Sequence, residues 1–169
     1  EAIAHYQREA VVPLLEGTEG PTGREEVKAF LESLGPGAAV VIKAVAGGGG
    51  RRKRIVRSVG EVDAAYERCR SEAAAAFGNG DLYAERLMAR ARHVEIQLLG
   101  DGEAVTHLHD RDCTVQRQGQ KLIEIAPAPG LNPGIRARLI EAALQLGRAA
   151  RLDNLATVEF LIDLDCGGD

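Results

Sequence analysis

An α+β fold built on antiparallel strands is predicted by three features of this 169-residue sequence. Segments of helical period are interleaved with short runs of strand character. Two of those runs, "HVEIQLLG" and "AVTHLHDRD", are separated by the turn "DGE", which marks a β-hairpin. Two others, "VVIKAVA" and "RKRIVRS", flank the four consecutive glycines Gly47 to Gly50, so the glycine run is read as the loop of a second hairpin.

Taken in order, "REEVKAFLESLG" places Val27, Phe30, Leu31 and Leu34 at helical spacing and stops at Gly35. The glycine hairpin follows. "EVDAAYERCRSEAAAAFGNG" is an alanine-rich helix closed by glycine and asparagine, and helix propensity is explanation enough for the alanines. "DLYAERLM" is a short strand. After the "DGE" hairpin, the polar, Gln-, Pro- and Gly-rich stretch "QRQGQK" to "APAPGLNPG" reads as loop. The amphipathic "IRARLIEAALQLGRAARL" is a long helix, and "ATVEFLIDLD" a last strand. No internal repeat is present.

A composition 45% hydrophobic and 27% charged suits a globular domain with a real core. The formal net charge of −4, with Lys and Arg scattered, argues against a nucleic-acid or membrane-surface partner. No apolar stretch approaches the roughly 18 residues of a membrane span, and "EAIAHYQREA" has no signal-peptide character, so a cytoplasmic setting is expected. Cys69, Cys113 and Cys166 are odd in number, far apart and without a CxxC pair, which predicts reduced structural thiols. The start without methionine and the stop at "DLDCGGD" read as a segment of a longer protein.

Several residues carry potential chemistry. The glycine run is neither a P-loop, since no Gly-Lys-Ser/Thr follows, nor GxGxxG, since Arg52 takes the last position. A mobile glycine hairpin is a third way to bring backbone N–H groups against phosphate, the plainer alternative being a floppy tip. Lys43 shares a strand face with Val41 and Val45, where an ammonium needs an anionic partner such as phosphate unless it sits on a solvated edge. Glu85 shares a face with Tyr83 and Leu87, as one polar contact on an adenine-sized apolar surface would require. His93, Glu95 and Gln97 lie on one strand face. His107 and His109 lie on another and would permit a metal pair, although hydrogen-bonded or solvated histidines are the plainer reading. Glu159 faces opposite to Val158 and Phe160, either toward solvent or as a ligand for nucleotide-borne Mg²⁺.

"VVIKAVAGGGGR", "FGNGDLYAERLMARARHVEIQLLGDG", "RDCTVQRQGQKLIEIAPAPGL" and "ATVEFLID", in this order, closely resemble the biotin carboxylase component of biotin-dependent carboxylases, members of the ATP-grasp superfamily. The resemblance covers nearly the whole chain. It implies a domain order in which residues 1–15 end an N-terminal domain or linker, 16–87 form the glycine-rich ATP-grasp lid, and 88–169 begin the antiparallel C-terminal domain. It also implies an ATP-dependent ligase that uses MgATP, with Mn²⁺ able to replace Mg²⁺. The ligase activates bicarbonate as carboxyphosphate and carboxylates biotin held on a carrier domain. The implied partners are a biotin carboxyl carrier domain and a carboxyltransferase component, in a homo-oligomeric parent of acyl-CoA or pyruvate type.

Carried over position by position, Gly48, Gly49 and Gly50 match the lid over the triphosphate and Lys43 the lysine that reaches the phosphates. Glu85 matches the acceptor of the adenine amino group, with the backbone near Leu87 completing that recognition. His93 and Gln116 match nucleotide-site side chains, and Leu161 a packing residue beneath the base. Glu159 matches one of two acidic metal ligands, and Lys121 a lysine on the bicarbonate and biotin side. The sequence departs from the family pattern at Arg52 and Lys53, in place of glycine and methionine, and at Gly119, in place of a nucleotide-contacting histidine. It departs again at Asp110, in place of glutamate, and Ile125, in place of an acid. These departures leave open a nucleotide-binding ATP-grasp module that has lost catalysis. A carbamoyl-phosphate-forming ligase would share the lid but not "RHVEIQ" with "QK" and "APAPG". The second metal acid and an Asn- and Arg-bearing segment expected of the family are absent from the sequence, so the chain alone is expected to be inactive.

Overall fold

The computed structural model describes residues 14–46, 53–117 and 119–165. Gly48, Gly49, Gly50, Arg52 and Cys166 lie outside the described residues. Among the described residues two compact units are present, one over 15–87 and one over 88–165.

The first unit is a three-stranded antiparallel sheet under two helices. Helix α1 (Arg24–Ser33) begins where Glu26 accepts a hydrogen bond from the Gly23 N–H at 2.7 Å, and its first turn carries Glu25 and Glu26, favourable at the positive end of the helix dipole. Helix α2 (Val59–Phe77) is closed by Gly78 at φ 69°, whose N–H donates to Ala74 O. Strands β1 (Val40–Ala44), β2 (Arg54–Val56) and β3 (Leu82–Arg86) stand in the order β2-β1-β3. The β1–β2 pairing, Val40 opposite Val56 and Ile42 opposite Arg54, is the hairpin expected around the glycines, with strands shorter than the apolar runs suggest. Alternation sends Val40, Ile42, Ala44, Leu82 and Ala84 into a core with Val27, Leu31, Val62, Cys69 and Ala73. Of the alanine patch only Ala73 is buried, as helix propensity alone would have it. Val41, Lys43, Tyr83 and Glu85 therefore take the opposite face.

In the second unit, β4 (Ala91–Gly100), β5 (Val105–Asp112) and β8 (Leu155–Asp163) form an antiparallel sheet of order β5-β4-β8, and the short strands β6 (Gln116–Arg117) and β7 (Gln120–Lys121) fall between β5 and β8 in the chain. The β4–β5 turn is an Asx turn: Asp101 Oδ1 accepts from Ala104 N at 2.7 Å and Glu103 N at 3.0 Å. Helix α3 (Pro133–Ala149) starts with proline at its first position, and the Asn132 side chain accepts from Gly134 N at 2.8 Å. It packs Leu139, Ile140 and Ala143 against Val94, Ile96, Leu98, Val158 and Phe160. Gly147 permits this approach, since a Cβ there would lie 2.9 Å from Val105 Cγ1 and 3.0 Å from Leu98 Cδ1. Asp110, 1% exposed, ties β5 to that helix: it accepts from Arg136 Nε at 2.9 Å and from the Ala128 N–H at 2.8 Å.

Two expectations are corrected here. The stretch "QRQGQK" is not plain loop but a two-stranded ribbon, β6 (Gln116–Arg117) paired with β7 (Gln120–Lys121), turning through Gly119 at φ 78°. Two-residue strands carry too little pattern to be seen in sequence. His107 and His109 do not lie on one regular face either. A β-bulge intervenes, so that Ile96 opposes Asp110 while Leu98 opposes His107, and His109 takes φ 63°. Their rings meet edge to face at 5.1 Å between centroids. Among the described residues, Cys69 and Cys113 are buried and form no disulfide, and no helix is long and apolar enough to cross a membrane.

Candidate functional site

In the first unit, β1 and β3 pair Val41 with Glu85 and Lys43 with Tyr83, which brings the Lys43 and Glu85 side chains diagonally together on the face away from the core. Lys43 Nζ donates to Glu85, the two side chains being 34% and 23% exposed. The anionic partner that Lys43 needs is thus already supplied by protein. Lys43 Nζ also lies 6.0 Å from the Tyr83 ring centroid. Burial first, and then the neighbouring Glu85 charge, push the Tyr83 phenol up to about 12. The Leu87 N–H donates to Ala39 O at 2.8 Å.

In the second unit, one face of the β5-β4-β8 sheet rests on the helix and the other carries His93, Glu95 and Gln97 from β4. The cross-strand partners are Arg111 on β5, opposite Glu95, and Glu159 and Leu161 on β8, opposite Glu95 and His93. The β6–β7 ribbon extends Lys121 to this face. Lys121 Nζ donates to Glu159 Oε1 at 2.7 Å and to the buried Glu95. Arg111 holds Glu95 from the other side, with Nε at 2.8 Å, and also donates to Gln97 Oε1 at 3.1 Å. His93 Nδ1 meets Gln116 Nε2 at 2.6 Å, and its Nε2 lies 3.7 Å from Glu159 Oε2. Five of the residues singled out in the sequence, His93, Gln116, Lys121, Glu159 and Leu161, are thus collected on one sheet face.

Electrostatics follow from the geometry. His93 first and Lys121 next hold the Glu159 carboxyl down at about 2. Burial works to lower Lys121, but its hydrogen bonds to Glu159 and Glu95 prevail and raise it, so it is a cation at neutral pH. Burial works to raise Glu95, and Lys121 and Arg111 outweigh it and lower it.

A family model described as "Carbamoyl-phosphate synthase L chain, ATP binding domain" matches residues 1–167. Pyruvate carboxylase of Aspergillus terreus is 46% identical over 154 residues, covering 90% of this chain and 13% of that protein. The chain belongs to this ATP-binding family, as an ATP-grasp segment of biotin carboxylase type. Human mitochondrial pyruvate carboxylase is 44% identical to this biotin carboxylase segment over 91% of it, again 13% of the relative. The chain thus spans about an eighth of the length of the curated relatives it matches. Among solved structures, a Campylobacter jejuni biotin carboxylase in complex with β-γ-ATP superposes with a TM-score of 0.88 at 38% identity, over 95% of this chain and 36% of that one. The biotin carboxylase domain of a Hydrogenobacter thermophilus 2-oxoglutarate carboxylase, in complex with MgADP, ADP and bicarbonate, gives 0.87 at 38% identity over 98% of this chain and 36% of that one.

Sequence reasoning singled out Lys121 and Glu159 of this biotin carboxylase segment but not what holds them. Glu95 was placed on the right face, yet its two cations, Arg111 and Lys121, come from 16 and 26 residues away. "HVEIQ" with "RDC" offered the only signal, a buried-strand acid with an arginine on a neighbouring strand. Glu95, Cys113 and Glu124 place ligand atoms within 4.8 Å of one another, the one such trio among the described residues. It is a poor metal cage. Burial and then Glu95 push the Cys113 thiol up to about 11, and Arg111 and Lys121 already occupy the Glu95 carboxylate.

Proposed function

We propose that the chain is the nucleotide-handling part of a biotin carboxylase, which uses MgATP to activate bicarbonate as carboxyphosphate and then carboxylates a ureido nitrogen of carrier-bound biotin. The observation that carries this is Lys121 held between Glu95 and Glu159, in a chain whose relatives are named as carboxylases. Lys121 is kept protonated, and two of its three donors are spent on carboxylates. It therefore acts as a fixed positive charge with one N–H to offer an oxyanion, bicarbonate or transferring phosphate, and not as a base. Glu95 and Arg111 fix where that charge points, as electrostatic catalysis requires.

Lys43 neutralises nucleotide phosphate, Glu85 receives the adenine amino group beside the Leu87 backbone, and His93 and Gln116 hold further nucleotide atoms above Leu161. Glu159 suits Mg²⁺: its Oε1 is tied to Lys121, while Oε2 has only the distant His93, and Mg²⁺ commonly takes one or two carboxylates with phosphate and water. Bound there, the ion would neutralise charge on the phosphate oxygens. The glycines Gly48 to Gly50 serve as the lid. The carboxylated biotin passes to a carboxyltransferase partner in a homo-oligomeric parent within the cytoplasm.

The test is calorimetric titration of the chain with MgATP and MgADP. Binding by the wild type, and a loss of about 1.5 to 3 kcal/mol in Lys43→Ala for a charge-assisted phosphate contact, are expected. No binding, or the same affinity in both, overturns the reading.

A further inference from the structure

The two side chains assigned to opposite ends of the nucleotide, Lys43 to phosphate and Glu85 to the base, are bonded to each other. They sit on adjacent strands of one small sheet, on its face away from the core, with Tyr83 beside both. Neither charge is loose. Both are more than half covered, and the Tyr83 phenol lies close enough to Glu85 to be influenced by its charge. Any ligand that draws Lys43 away leaves a largely covered carboxylate without its cation, and any ligand that takes Glu85 alone leaves an ammonium unpaired.

We infer that the Lys43–Glu85 pair is a selectivity latch: the ion pair opens only for a ligand that supplies both an anion for Lys43 and a hydrogen-bond donor for Glu85. The inference rests on the MgATP reading above and deepens it. A nucleotide with an exocyclic amino group on its base and phosphates at the other end satisfies both partners at once. Inorganic tripolyphosphate satisfies Lys43 alone and leaves Glu85 stranded. A base with a carbonyl in place of the amino group sets an acceptor against the carboxylate. The pair thus couples base and phosphate recognition, and Glu85 discriminates by what it withholds from bare polyphosphate as well as by what it accepts from adenine.

The experiment is calorimetry on the 169-residue chain with MgATP and with magnesium tripolyphosphate. The variants are Glu85→Gln, Glu85→Asp, Lys43→Met and the Lys43→Met/Glu85→Gln pair, each first checked for a wild-type circular dichroism melt. Glu85→Gln releases Lys43 and is expected to bind tripolyphosphate three- to tenfold more tightly, tenfold being about 1.4 kcal/mol. The same variant binds ATP no more tightly, so the preference for ATP narrows. Glu85→Asp, which keeps the charge one methylene farther from the lysine, moves tripolyphosphate the same way by less and serves if the glutamine variant does not fold. In the Lys43→Met background the glutamine change has no effect on tripolyphosphate. Weaker tripolyphosphate binding in Glu85→Gln means that Glu85 merely supports Lys43 and overturns the latch. Unchanged binding, or tightening that persists without Lys43, also overturns it. All three results leave the nucleotide reading standing, whereas a wild type that binds neither ligand overturns that reading and the latch together.

Discussion

Replacing Asp110 tests how the second unit is held together. Its carboxylate is 1% exposed and is the acceptor for the Arg136 guanidinium, at 2.9 Å from Nε and 3.4 Å from Nη2, and for the buried Ala128 N–H at 2.8 Å. Removing one partner of a buried ion pair costs about 3 to 5 kcal/mol, because the other is left unsatisfied. Arg136 is 29% exposed and keeps a bond to Ala128 O at 3.0 Å, so water and that carbonyl recover part of the loss. Asp110→Ala is therefore expected to cost about 2 to 4 kcal/mol. Asp110→Asn, which retains one carbonyl acceptor, should cost about half as much. Because the chain comprises two compact units, a single whole-molecule transition would mix them. Native-state hydrogen exchange at the Val94 and Ile96 amides of β4 reads the second unit alone. The pH dependence has a definite sign. Burial raises the Asp110 carboxyl, but Arg136 and the Ala128 N–H outweigh it and the folded value lies below the ordinary one. The contribution is thus complete above the unfolded value of roughly 4 and fades as pH falls through the lower folded value. A loss under about 0.5 kcal/mol, or an equal loss when Arg136 is already Met, would refute the pairing as its source.

Three further outcomes are expected. Gly100→Ala puts a Cβ 2.1 Å from Leu152 O and should destabilise the second unit by about 2 to 3 kcal/mol, since backbone must move; an unchanged melting temperature would speak against that contact. In a carbon-detected NMR titration Glu159 should show a midpoint at about 2, its contribution to stability being present above roughly 4.3 and lost toward pH 2, with Lys121→Met moving it upward; an ordinary midpoint in the wild type excludes the network. Cys113, its thiol pushed up to about 11, should react with iodoacetamide at pH 8 at least roughly a hundredfold more slowly than a free thiol until urea is added, and rapid labelling of the native chain would contradict its burial.

The elements most legible in sequence were those whose period ran long enough to commit to one face. The helices over residues 24–33 and 133–149, and the alternation of His93, Glu95 and Gln97 against Val94, Ile96 and Leu98, read correctly because burial imposes the pattern. Lys43 was legible as a charge in need of a partner, but the partner was not, since Glu85 lies 42 residues away and meets it only through strand register. Asp110 and Arg136 were opaque for the same reason. The β6–β7 ribbon escaped because two residues a side give no period, and the bulge because alternation is counted as unbroken. Gly100 and Gly147 look like turn and helix glycines until their neighbours, Leu152 and Val105, come from elsewhere in the chain.

The bulge in β5 gives that strand tolerance of length. On its hairpin side Val105 and His107 point toward the helix, and beyond it Asp110 does, so the inward parity passes from odd to even within Leu108 and His109. Two residues there oppose the single Gln97, which means that the strand carries one more than its partner requires. A chain shortened by His109 would close into an unbroken ladder with Asp110 still opposite Ile96 and Arg111 still opposite Glu95, and would shed a non-glycine residue at positive φ. A deletion of Arg111 lies beyond the bulge and has no such slack: it would remove the guanidinium that holds Glu95 and bring Asp112 into its place opposite that carboxylate.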